Sequence, residues 1–135
     1  MTIYIIDAYA WIEYAIGSKK GLRVQEIIED KENSINTNVI TFSELSAYCE
    51  RHKKDFTDLK KMILSMSSVY TIDVAFCEEA GSMHTKIRKE RKHMGMIDVF
   101  ILLTAKKLGG KVVTGDQDFK GLQNVILLLL FLQLL

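Results

Sequence analysis

The sequence predicts an α/β fold, three layers deep (α/β/α), around a central, mainly parallel five-stranded sheet. Three observations carry this expectation. Short β-rich runs alternate with helical segments in the order β-α-α-β-α-α-β-α-α-β-α-β, which builds a parallel sheet with helices on both faces. The first run, Ile3-Tyr4-Ile5-Ile6, has no polar alternation, as expected of a strand buried on both faces. A carboxylate, Asp7, follows it directly, and open α/β sheets hold their ligands outside the carboxyl ends of the strands.

The elements follow in order. Ala8–Ala15 reads as a helix with Trp11, Ile12 and Ala15 on its apolar face, and Gly17 can end it. Lys19–Asp30 reads as a second helix with Leu22, Val24, Ile27 and Ile28 inward, and Ser34–Asn38 as a short strand. Thr41 stands three residues before Glu44, the spacing of a capping box, so the next helix is expected to open there, with Leu45, Tyr48 and Cys49 on its apolar face. Asp55 or Thr57 opens a fourth helix with Leu59, Met62, Ile63 and Met66 as its stripe, and Val69–Ile72 follows as a strand. Ala75–Lys92 reads as one long helix broken by Gly95. Met96–Leu108 is so apolar that it must be buried on much of its circumference. Lys111–Thr114 is a strand, Asp116–Phe119 a short helix, and Val125–Leu130 a last strand.

The 135 residues suit one domain, 1–135, with one core. At 48% hydrophobic and 26% charged the chain reads as soluble and globular. A net charge of +1 supplies no global field toward nucleic acid, so any basic footprint must be local. Cys49 and Cys77 have no metal-type spacing and read as core thiols of a reducing compartment. The opening MTIYIID carries no basic leader segment, so the expected location is cytoplasmic. The apolar tail Val125–Leu132 is too short to cross a bilayer as a helix.

The chemistry rests on carboxylates. Asp7 ends the first strand, and it either caps the following helix or holds a cation. Asp116 lies just past the fourth strand, Glu44 in the first turn after the second, and Asp98 is the one charge in Met94–Ala105. Parallel strands bring all four to one sheet edge, with Asp118 as a fifth member or a helix cap. Close carboxylates repel and hold protons unless a cation compensates. Oxygen-only ligation suits Mg²⁺ or Mn²⁺, ions that can activate water against a phosphodiester. His52, His84 and His93 read as solvated, so zinc is not indicated. The run Lys86, Arg88, Lys89, Arg91 and Lys92 precedes Asp98; it either contacts phosphates at the mouth of an acidic pocket or is a solvated helix face.

These motifs resemble the PIN domain (PilT N-terminus) family over nearly the whole chain. YIIDAYAWIEY is similar to its opening motif around Asp7, and ITFSELSAYCERH to its second around Glu44. GMIDVFILLTAKKLGGKVVTGDQDF is similar to its closing block, with Asp98, Asp116 and the accessory Asp118. The family often has Thr or Ser after the first acid; here Ala8 and Tyr9 follow. The resemblance implies strand order 3-2-1-4-5 and a metal-dependent ribonuclease. Small members resemble VapC-type toxins, usually homodimers held inactive by a VapB-type antitoxin. The surplus of Met, Tyr and Leu, and the tail LLLLFLQLL, fit an apolar protein interface.

Two other classes share parts of this pattern. A phospho-receiver domain would use Asp73 as acceptor and Thr114 as switch, but it needs paired acids after the first strand and a late Lys, and nothing pairs with Asp7 and no Lys follows Lys120. A catalytically silent RNA-binding module would gain stability by losing the mutually repelling acids.

Overall fold

The computed structural model of the chain describes residues 1–129. Strand β1 (Ile3–Ile6) leads through helices α1 (Ala8–Ile16) and α2 (Lys19–Glu29) to β2 (Ser34–Asn38). Helices α3 (Ile40–Arg51) and α4 (Thr57–Met66) lead on to β3 (Ser68–Tyr70). Helices α5 (Val74–Ile87) and α6 (Met96–Leu108) precede β4 (Lys111–Thr114), and a 3₁₀ turn, Gln117–Phe119, precedes β5 (Val125–Leu127). All strand pairs are parallel, in the order β3-β2-β1-β4-β5. The chain winds outward from β1 in one direction to β3 and in the other to β5. The crevice between β1 and β4 is therefore the topological switch point, where such sheets bind ligands.

The period of two along each strand divides the core. Ile5 pairs with Val112 and Ile6 with Val113 in register. Ile6 and Val113 pack with Trp11, Val24, Ile27, Leu45 and Ile63 under α1 to α4. Ile5 and Val112 turn the other way, onto Ile101, Ala105 and Phe119. A third cluster of Phe76, Ala80, Met94, Val99 and Leu103 joins α5 to α6. Trp11 is fully buried and its Nε1 donates to Thr37 Oγ1 at 3.1 Å, so it is a core residue with its polar handle satisfied. Gly17 and Gly109 both end their helices at φ 68°, a left-handed conformation that glycine adopts without a Cβ penalty.

Several local expectations are corrected. Thr41 is not the cap of α3. That helix starts at Ile40, whose N–H donates to Asn38 Oδ1, while Thr41 is buried with its hydroxyl unpartnered. Glu44 is thereby free of a capping box. The expected helix over Ala75–Lys92 ends at Ile87, and residues 88–95 turn back instead. Continuing it would crowd five cations into about two turns; turning buries Met94, whose carbonyl lies 3.1 Å from His84 Nε2. His84 is accordingly half-buried rather than solvated. Leu22 is 57% exposed, and Ala15, Met66 and Cys77 also face solvent, while Cys49 is buried. The last strand ends at Leu127, and residues 130–132 of the expected apolar tail lie outside the described residues. No helix among the described residues is long and apolar enough to cross a membrane.

Candidate functional site

A cleft of about 460 Å³ opens at the carboxyl edge of the sheet, over the switch point. Asp7, Glu44, Asp98 and Asp116 all line it, brought there by β1, α3, α6 and the turn after β4. Asp98, Asp116 and Asp118 form the tightest group: each brings one carboxylate oxygen within 4.8 Å of the others. Asp7 and Glu44 stand outside that trio but border the same cleft, whereas Asp118 faces a neighbouring recess of about 370 Å³ lined by Glu90–Met94.

Three of the acids are also helix caps. Asp7 Oδ1 accepts from Ala10 N–H at 2.9 Å, Asp98 Oδ2 from Gly95 N–H at 3.0 Å, and Asp116 Oδ1 from Asp118 N–H at 2.9 Å. Asp98 thus has a structural role that the sequence reading did not assign. Each cap occupies one oxygen of its carboxylate. A cap and a cation ligand are therefore compatible in one residue, since a carboxylate has two oxygens and about four lone-pair sites.

The electrostatics are those of uncompensated negative charge. Asp7 is 7% exposed. Burial raises its carboxyl from 3.8 to about 7, opposed by hydrogen bonds from the Thr114 hydroxyl and the Ala10 N–H and reinforced by Glu44 and Asp116. Burial likewise raises Glu44, helped by Asp98 and Asp116. Asp98 is raised by burial and by Asp116 and Asp118, against its bond from Gly95. The Thr114 hydroxyl also accepts from Asp116 N–H at 3.0 Å, fixing the turn after β4. An oxygen-only donor set of this charge fits a hard divalent ion. No His or Cys lines the cleft, which does not fit zinc.

The alternative acceptor Asp73 lies elsewhere. It is exposed beyond edge strand β3 and caps α5 by accepting from Phe76 N–H at 2.8 Å. The basic run divides in two. Arg91 and Lys92 line the recess beside Asp118, and Arg91 Nη1 donates to the Asp118 carbonyl at 3.0 Å. Lys86, Arg88 and Lys89 are exposed and line neither concavity.

Other lining residues were not read as site residues from the sequence, where Tyr48 was placed on the apolar face of its helix. Tyr9, Ser43, Tyr48 and Arg51 border the cleft. Tyr48 and Arg51 follow Glu44 by four and seven residues, a helical spacing that could have placed them on its face. Tyr9 had no such signal: its ring is held against Gly115, where an added Cβ would lie 2.1 Å from Tyr9 Cε1.

A parallel sheet of this order, with acids gathered at its carboxyl edge, defines a PIN-like α/β protein. The family comparison agrees: residues 4–124 match the PIN domain model, and the chain belongs to the PIN domain family. Among solved structures, it is similar to VapBC2 from Rickettsia felis bound to a promoter DNA fragment, at 19% identity and TM-score 0.72, covering 93% of this chain and 97% of that one. A toxin–antitoxin complex from Klebsiella pneumoniae matches at 22% identity and TM-score 0.67, covering 91% and 95%. VapC20 from Mycobacterium tuberculosis, a Sarcin-Ricin loop cleaving toxin, matches at 14% and 0.66, covering 86% and 92%. At these identities the similarity establishes the fold. No curated protein matches the chain in sequence.

Proposed function

We propose that this chain, as one PIN domain over residues 1–135, is a divalent-metal-dependent endoribonuclease and the toxin of a toxin–antitoxin pair. The observation that carries the reading is the convergence of Asp7, Glu44, Asp98 and Asp116 on one cleft at the switch point, with Asp118 within 4.8 Å of two of them. Asp7, Glu44, Asp98 and Asp116 are the catalytic set, and with Asp118 they would hold Mg²⁺ or Mn²⁺. When bound, such an ion supplies Lewis acidity toward a phosphodiester and an activated water.

The protein's own part is preorganisation. Backbone N–H donors fix one oxygen each of Asp7, Asp98 and Asp116, and the Thr114 hydroxyl accepts from the N–H of Asp116 in the turn after β4. The set is therefore held in place before any ligand arrives, so little of the binding free energy is spent on ordering it. Arg91 and Lys92, beside Asp118, are the members of the basic run suited to RNA phosphates.

Membership of the PIN family and the likeness to VapBC proteins support an antitoxin partner, and we propose a homodimer besides. Exposed Leu22, Leu64, Met66, Val69 and Val74 supply apolar surface for such contacts. Cleavage of a panel of short single-stranded RNAs with Mg²⁺, Mn²⁺ or EDTA tests the reading. Cutting is expected with either ion and not with EDTA; cutting that survives EDTA refutes the metal dependence, and no cutting under any condition refutes the nuclease.

A further inference from the structure

We propose that Tyr48 and Arg51 form a substrate-binding strip on α3 that stacks an unpaired RNA base beside the acids and holds the adjoining phosphate. This rests on the ribonuclease reading and deepens it by naming the residues that would take an unpaired base and its phosphate.

The strip follows from the helix. Glu44, Tyr48 and Arg51 are spaced by four and three residues and share one face of α3, and all three line the cleft. At about 1.5 Å of rise per residue, Tyr48 stands roughly 6 Å and Arg51 roughly 10 Å beyond the acid. A stacking group and a cation therefore follow Glu44 along one wall of the cleft.

Each residue is in a state suited to the role. Tyr48 is half-buried, and His52 stacks on one side of its ring, centroids 4.0 Å apart and planes at 25°. His52 is itself held, with Nδ1 2.8 Å from the Tyr48 carbonyl. The pair places a braced aromatic side chain at the wall of the cleft. Base stacking on such a ring tolerates any base, because every base has a π-face. Arg51 is exposed and, among the described residues, forms no ion pair. A guanidinium left free beside a cleft full of carboxylates is suited to a phosphate, which it can meet with two parallel N–H bonds. A duplex offers phosphates but keeps its bases stacked inside, so Tyr48 distinguishes the two forms.

The test is binding of a fluorescent single-stranded RNA of about ten nucleotides in Ca²⁺, followed by anisotropy. Its blunt duplex is the control, and the proteins are wild type, Tyr48→Ala, Tyr48→Phe and Arg51→Gln. Single-strand affinity should fall about tenfold in Tyr48→Ala and in Arg51→Gln and hold in Tyr48→Phe. Duplex affinity should fall only in Arg51→Gln. Mn²⁺ affinity should be the same in all four proteins, which separates loss of the strip from loss of the fold. Undiminished single-strand binding by both Tyr48→Ala and Arg51→Gln overturns the proposal. An equal loss on the duplex in Tyr48→Ala does so too, as does wild type that binds no single strand. RNA cleavage in Mn²⁺, measured in parallel, keeps the two ideas apart. Cleavage with variants unaltered in KM sinks the strip and leaves the nuclease; Tyr48-dependent binding without any cleavage sinks the nuclease and leaves the strip.

Discussion

Replacing Asp7 with Asn should make the metal-free protein more stable at mildly alkaline pH and not at acid pH. Burial, seconded by Glu44 and Asp116, lifts this carboxyl from 3.8 to about 7 in the folded chain. The folded state then binds the proton more tightly than the unfolded state. Stability is fully present below 3.8, is lost as pH rises toward 7, and is level above that. At about 1.4 kcal/mol per pKa unit, ionising the folded group costs on the order of 4 kcal/mol. Asparagine cannot ionise, and its carbonyl can still accept from Ala10 N–H. It loses one acceptor that served Thr114, worth about 1–2 kcal/mol. The net expectation is a variant about 2 kcal/mol more stable than wild type at about pH 8, with no gain or a small loss at about pH 5. Urea melts of both proteins at the two pH values, in EDTA, read this directly. A stability difference that is the same at both pH values would refute the argument, because it would mean that Asp7 does not change its charge between them. Added Mn²⁺ should reverse the order at the higher pH, since a ligand that binds only the folded state adds to its stability, and Asp7→Asn should bind the ion more weakly.

Further outcomes follow from the same geometry. Asp98→Asn should abolish RNA cleavage and raise metal-free stability by less than Asp7→Asn, within about 1 kcal/mol, because the residue is only half-buried and asparagine can still cap Gly95; a variant that melts lower than wild type in EDTA would make Asp98 a cap before anything else. Gly115→Ala should cost about 1–3 kcal/mol, since its Cβ would overlap the Tyr9 ring, and unchanged urea midpoints would show that Tyr9 moves aside freely. An antitoxin that places Arg among the acids should abolish Mn²⁺ binding in the complex; titration of the purified complex with Mn²⁺ checks it, and full affinity would rule out that mode of inhibition.

Much of the fold was legible because its signals are local. The unbroken apolar run Ile3–Ile6, the apolar length of Met96–Leu108 and the glycines after α1 and α6 each declare an element without reference to any other. The parallel sheet follows from their alternation, and the carboxyl-edge position of Asp7, Glu44, Asp98 and Asp116 follows from the sheet. What the sequence could not separate was the two uses of one side chain. Asp7, Asp98 and Asp116 stand where caps stand and also where ligands would stand, and only coordinates reveal that the cap occupies a single oxygen. Thr41 and Glu44 had the spacing of a capping box, yet Asn38 supplies the cap, because β2 delivers its side chain to the first N–H of α3. Arg88–Gly95 had the composition of a continuing helix, yet the chain turns there to bury Met94 between α5 and α6. Which acids draw closest was likewise a tertiary outcome: Asp118 joins Asp98 and Asp116, while Asp7 and Glu44 stand apart. Pattern and propensity act over a few residues, so they determine elements and faces. Distances between side chains on separate elements are set by how those elements pack, and that packing brought Asp7, Asp98 and Asp116 to the cleft that Glu44, Tyr48 and Arg51 line from α3.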